Sequence, residues 1–261
     1  MTKKKILIVT DSRGAGLQQF LAEKIDSNNT NIKVLVYRGA KLETLCNIVE
    51  CKYDSSLDLV ILSGGICDLT IREKEKGVKT LVYQRTDGNL DRIKDILTRI
   101  TGKPGLRGKI TITTIPPASL HRYFRHHNAN KDPPPQTQQQ QQDLLQDIQE
   151  INECIITLNK AANLKTIDLH DKCFRKSLAP KSKSKTKPIA ERRRKIFQDH
   201  FLSDGVHANL SLQSKWFTRY AEIISVWLSA ESSSGTEEDG PERWDYKRHA
   251  HGGPKSGTSK Q

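Results

Sequence analysis

The sequence predicts an α/β protein, a three-layer α/β/α arrangement around a five-stranded parallel sheet, and two observations carry that prediction. Short apolar runs alternate along most of the chain with amphipathic segments of helical period, the order expected of repeated βαβ units. One of those runs, Leu57 to Leu62 (LDLVIL), is apolar almost throughout, as a central parallel strand covered on both faces must be.

The elements follow in order. Lys4 to Thr10 is a strand rich in Ile, Leu and Val, and Gly14 to Ile25 is a helix with Leu17, Phe20, Leu21 and Ile25 on one face. Ile32 to Tyr37 is the second strand and Leu42 to Cys51 the second helix. Leu57 to Leu62 is the third strand, and a helix over Asn89 to Ile100 leads to a fourth strand, Lys109 to Ile115, stopped by Pro116-Pro117. Asp143 to Ala162 is a long helix with Leu144, Ile148, Ile151, Ile155 and Leu158 at helical spacing. Lys165 to Leu169 supplies the fifth strand, and Leu210 to Leu228 closes the domain as a helix.

Residues 1–229 therefore read as one domain with two low-complexity insertions and a tail. The first insertion, 118–142, contains HRYFRHHN, three prolines (Pro133 to Pro135) and a run of glutamines (Gln138 to Gln142), and is expected to be a mobile excursion. The second, 174–195, is basic. Residues 230–261 are rich in Gly, Ser and Pro with no periodicity, and are expected to be a disordered tail.

Composition bounds the function. Hydrophobic residues make up 35% and mean hydropathy is -0.64, low enough to fit a chain that is unstructured in part. No stretch approaches the apolar length of a membrane span, and the opening MTKKKILIVTD has too short an apolar run for a signal peptide. The five cysteines, Cys46, Cys51, Cys67, Cys154 and Cys173, are odd in number and contain no CxxC pair, so reduced thiols in an intracellular compartment, cytoplasmic or nuclear, are expected. The net charge of +13 is concentrated: Lys172 to Lys195 holds eleven Lys and Arg against one acid, Glu191, which places +10 of the total in that segment. Non-specific, salt-dependent contact with nucleic acid is one reading of it, and a solvated insertion or nuclear-import signal is the other. Aromatic residues for stacking on bases stand only at its edges, Phe174 and Phe197.

Four segments carry the chemistry: ILIVTDSRG (6–14), YRGAKLETL (37–45), ILSGGICDL (61–69) and LSDGVHAN (202–209). The first three follow strands, so they gather with the fourth at the carboxyl end of a parallel sheet, where ligands bind in such folds. Ser12, His207 and Asp204 are the inventory of a Ser-His-Asp hydrolase, and the glycine loops offer backbone N–H groups to an oxyanion. Each also has a structural reading. Asp11 and Ser12 are favoured helix caps, and DGVH is a turn before a helix. His121, His126 and His127 lack a carboxylate or cysteine at ligand spacing and read as a solvated surface, so no metal and no organic cofactor is called for. Asp168, His170 and Asp171 are explained by capping and loop hydrogen bonds. The test between the readings is distance: catalysis needs Ser12 and His207 near hydrogen-bond contact, and a separation beyond about 5 Å would favour a binding role.

These segments, in this order, resemble the blocks of the SGNH (GDSL-type) hydrolases, over Lys4 to about Leu228 without the low-complexity stretches. The resemblance implies a flavodoxin-like fold, Ser12 as nucleophile, Asp204 and His207 as the final pair, and an oxyanion hole built from Ser12, Gly39 and the third-block position, here Cys67. It implies a broad substrate class spanning lipids, acetylated sugars and thioesters, and within it a small ester, such as an acetyl ester, is the expectation here. Two positions depart from the pattern: Thr10 stands for the first glycine, and Cys67 for an asparagine whose amide would be a firmer donor than a thiol. Cys67 as nucleophile is the lesser alternative, since nothing near it in sequence lowers a thiol pKa. A different class of function stays open, a catalytically inactive SGNH-fold binding protein. Esterase-like domains of this family occur in first-reading-frame proteins of some non-LTR retrotransposons, and the basic and glutamine-rich stretches are similar to what such an element-derived protein carries.

Overall fold

Strand β1 (Lys4–Thr10) sets the layering, because its side chains alternate between two separate cores. In the computed structural model, which describes residues 3–84, 88–178 and 193–233, Ile6 and Ile8 face one side and Leu7 and Val9 the other. Strand β3 (Leu59–Ser63) repeats the pattern, with Leu59 and Ile61 beside Ile6 and Ile8, and Val60 and Leu62 on the opposite face. Helices α1 (Leu17–Lys24) and α7 (Leu210–Ser233) cover the first face through Leu17, Leu21, Leu212, Trp216 and Ile224. Helices α2 (Leu42–Lys52), α4 (Asn89–Gly102) and α6 (Thr137–Ala161) cover the second through Leu45, Val49, Ile93, Leu97, Ile148 and Ile155. All of these side chains are buried, and burying each is worth about 1.5–3 kcal/mol, so both faces contribute to holding the sheet.

The sheet is parallel and four-stranded, in the order β2 (Thr30–Val36), β1, β3, β6 (Ile110–Ile112). The chain runs outward from β1 to β2 and then crosses to β3 on the other side. The carboxyl ends of β1 and β3 therefore flank the topological switch point.

The expected fifth strand does not form. Residues 165–169 make one backbone bond to the segment that follows β6, Thr114 N–H to Ile167 O, at 3.1 Å. Asn159 of α6 takes the outward groups that a fifth strand would need: its amide accepts from Ile112 N–H (3.0 Å) and donates to Ile112 O (2.7 Å). Asn152, two turns earlier, binds Ile115 in the same way. These amides also end β6 early, before the Ile115 boundary expected from the sequence.

Residues 118–142 depart from expectation more strongly. They hold helix α5 (Leu120–His127) and the first turns of α6. In α5, Leu120, Tyr123 and Phe124 form a buried stripe, and Ser119 caps the helix by accepting from Arg122 N–H. The glutamines extend α6 because Gln is a competent helix former, and Gln141 bonds both Leu120 N–H and Ala118 O.

Two hairpins lie outside the main sheet. Strands β4 (Thr70–Glu75) and β5 (Val78–Tyr83), linked to β3 by the short helix α3 (Ile66–Leu69), meet at Lys76-Gly77, both at positive φ, a two-residue turn. The basic segment forms the ends of a second hairpin, β7 (Phe174–Leu178) and β8 (Arg193–Phe197). Its centre, 179–192, and the expected tail beyond 233 lie outside the described residues. No helix among the described residues is long and apolar enough to cross a membrane.

Candidate active site

Ser12 follows β1 directly, in a single 3-10 turn spanning Ser12–Gly14. The residues on either side hold that turn. Asp11, buried to 2% exposure, accepts from Arg13 N–H at 2.9 Å and pairs with the Arg13 guanidinium at 3.1 Å. Arg13 then reaches across the switch point and donates to Pro116 O at 2.9 Å. Thr10 remains in the ladder between Val36 and Ser63, so the backbone there is extended. Its side chain fills the space that a Cβ on Gly14 would need, with Thr10 Oγ1 only 2.8 Å from that position.

His207 comes from the loop between β8 and α7. Its Nε2 lies 2.9 Å from Ser12 Oγ, and its Nδ1 lies 2.7 Å from Asp204 Oδ2. Asp204 Oδ1 accepts from the backbone N–H groups of Val206 and His207 at 2.9 and 2.8 Å. Burial alone would raise the Asp204 pKa. The His207 ring and the two N–H groups outweigh burial and hold the carboxyl well below the usual range, so it stays ionised. The His207 side chain is one-third exposed and Asp204 about one-fifth, so solvent reaches the site.

The loop depends on Gly205, which adopts φ +89°. A Cβ there would sit 2.5 Å from Ser119 O and against the backbone of Tyr123. Ser119 N–H donates to Gly205 O at 2.7 Å, so the first turn of α5 clamps the Asp204–His207 loop. The stretch expected to be a mobile excursion is thus part of the site's support. Gly205 was legible as a turn residue, but its contact with α5 had no sequence signal.

The glycine loops lie where expected. Tyr37 N–H bonds Thr10 O at 2.8 Å, bringing the Gly39 loop to the end of β1. Among the described residues the backbone N–H groups of Ser12 and Gly39 donate to nothing. Gly65, at φ +113°, opens α3, and Cys67 follows on it, partly buried. Burial raises the Cys67 thiol pKa, with the Arg13 charge opposing, so Cys67 is a neutral thiol. Asp68, one residue on, is a buried brace: its Oδ2 accepts from Leu42 N–H at 2.8 Å.

Other residues singled out from the sequence lie elsewhere. Asp168 accepts from Thr114 Oγ1 and Asp171 N–H, a loop-bracing role. With His170 and Asp171 it lines a cleft beside α6 that includes none of Ser12, Asp204 or His207. His126 and His127 sit on α5 in ring contact with each other, and no His, Cys, Asp and Glu group able to hold a metal occurs among the described residues.

No protein-family model matches the chain, and no curated protein sequence matches it. Solved structures do. The fold is similar to that of a protein named a "putative GDSL-like lipase" from Parabacteroides merdae, at 14% identity and TM-score 0.51, covering 87% of this chain and 98% of that one. It is also similar to an alpha/beta hydrolase enzyme from the metagenome of Lake Arreo, Spain, at 11% identity and TM-score 0.50, covering 86% and 95%. At these identities the likeness is one of fold.

Proposed function

We propose that the chain is a serine hydrolase of the SGNH type acting on a small ester. The observation that carries this reading is the continuous relay from Ser12 Oγ through His207 to Asp204, with links of 2.9 and 2.7 Å. It is far inside the separation at which catalysis would become implausible. Ser12 attacks the ester carbonyl as its proton passes to His207 Nε2, and Asp204 stabilises the imidazolium that forms. The tetrahedral oxyanion takes hydrogen bonds from the unpaired N–H groups of Ser12 and Gly39. The intermediate collapses, His207 protonates the departing alcohol, and a water activated by His207 then releases the acid from the acyl-Ser12. The fold likeness to a protein named a "putative GDSL-like lipase" and to an alpha/beta hydrolase enzyme fits this assignment.

Cys67 at the third oxyanion position weakens the site. A thiol is a poor donor, and loss of one oxyanion donor typically costs about 100- to 1,000-fold in turnover. The same residue favours the second reading, a fold kept for binding, with the basic segment of 174–195 as a nucleic-acid contact and an origin in a mobile element. The two readings part on one assay: hydrolysis of a short activated acetyl ester by the native protein, Ser12→Ala and Cys67→Asn. Activity abolished in Ser12→Ala supports the hydrolase. A buffer rate in all three supports the binding protein.

A further inference from the structure

The β4–β5 hairpin leaves the chain at Thr70, immediately after Cys67 and Asp68, and folds back against α5. It is fixed there. Asn128 accepts from Lys79 N–H at 2.9 Å and donates to Lys79 O at 2.6 Å, Leu81 and Tyr83 are buried, and Gln84 N–H returns to Leu69 O at 2.9 Å. Arg72 therefore has a defined position. Its guanidinium lies 5.9 Å from the centre of the Tyr123 ring, which packs at 4.4 Å on His127. The Tyr123 backbone is in turn the group against which Gly205 closes, between Asp204 and His207.

Arg72 thus stands at the rim between the Cys67 helix and the Asp204–His207 loop. It is exposed, and no carboxylate partners it among the described residues. The neighbouring Arg13 differs, being buried and neutralised by Asp11. The reach of the Arg72 charge fits this placement. Burial raises the Tyr123 phenol while Arg72 opposes and Asp204 adds to the rise, and Arg72 also acts on the Cys67 thiol. Arg38 and Lys41, both exposed, flank Gly39 on the other oxyanion loop. A cation held at the mouth of a site with an aromatic face but no carboxylate beside it is available to an anion from solution, and a guanidinium matches carboxylate or phosphate geometry.

We infer that Arg72 is a specificity-determining residue, and that the substrates are esters bearing an anionic group within reach of the β4–β5 hairpin. The inference rests on the hydrolase reading. It is tested with two substrate pairs that differ only in charge. One is 4-acetoxyphenylacetate against its methyl ester, with the charge on the alcohol side. The other is 4-nitrophenyl hydrogen adipate against its methyl ester, with the charge on the acyl side. In the native protein one anionic member is expected to show kcat/KM about tenfold above its neutral partner, mostly through KM, as suits a charged hydrogen bond at an exposed rim. Arg72→Gln should bring the pair to parity without changing the neutral rate, Arg72→Lys should restore part of the preference, and added salt should erode it. Equal rates within both pairs, or a preference that survives Arg72→Gln, would overturn the inference and leave the hydrolase standing. Absence of hydrolysis of all four esters, with Ser12 unlabelled by a fluorophosphonate, would overturn both.

Discussion

Ser119 N–H and Gly205 O are joined across 2.7 Å, and through this one bond the cap of helix α5 governs where His207 stands. The contact leaves no room for a side chain at Gly205, whose φ of +89° also disfavours one. Gly205→Ala is expected to lose about 2–3 kcal/mol of stability from strain and overlap together, read by chemical denaturation. Fluorophosphonate labelling of Ser12 should slow even at temperatures where the variant remains folded.

Under the hydrolase reading, substitutions at Asp204 and Cys67 should move the reaction in opposite directions. Asp204→Asn should slow the hydrolysis of an activated ester by about three to four orders of magnitude, through loss of the imidazole's orientation and of its stabilising charge. Cys67→Asn should raise kcat by about tenfold to 100-fold by supplying a firm donor to the oxyanion. Single-turnover kinetics on both variants checks the pair.

Stability should depend on pH through two carboxyls of opposite sign. The Asp204 pKa is lowered in the folded protein, so its contribution is present above the unfolded carboxylate range and is lost as pH falls through the folded value. Burial raises the Asp68 pKa, against the Leu42 N–H bond and the Arg92 charge, so it favours the fold at low pH and loses that contribution as pH rises. Denaturation midpoints measured from acid to neutral pH should therefore fall less steeply on the acid side for Asp204→Asn. For Asp68→Asn they should decline less on the rise to neutral pH.

The thiols should separate by burial. Cys46 and Cys173 are buried, and burial pushes each pKa up to about 12, so neither forms appreciable thiolate at mild pH. Cys51 is exposed. Brief maleimide treatment of the native protein at about pH 8 should label Cys51 first and leave Cys46 and Cys173 unmodified until the chain is denatured, as peptide mass spectrometry would show.

Asn159 should prove costly to replace. Its buried amide satisfies both backbone groups of Ile112 that point away from the sheet. Asn159→Leu keeps similar bulk and strands a donor and an acceptor, at about 1–3 kcal/mol each. Equilibrium unfolding should register a loss near the sum.

What could be read in advance followed periodicity. The unbroken apolar runs at Ile6 to Val9 and Leu59 to Leu62 announced strands covered on both faces, and the loops after them announced where a site would gather. The failures share a cause, which is tertiary contact replacing local signal. The polar residues from Gln138 to Gln142 look like filler, yet Gln141 completes the start of α5. Ile167 sits in a short segment, Lys165 to Leu169, suited to a strand, but the Asn159 amide on α6 already holds the edge it would join. The β4–β5 hairpin had a usable cue in Lys76-Gly77 between alternating residues, and the highly charged β4 obscured it.

Ser12 and its partner His207 are separated by 195 residues, so the pair assembles only after nearly the whole described chain has been made. Under the hydrolase reading, a nascent polypeptide carries its serine early and without its base until the Asp204–His207 loop docks on α5. On that reading, a probe that modifies Ser12 would therefore count chains in which that loop has docked and not those still lacking it.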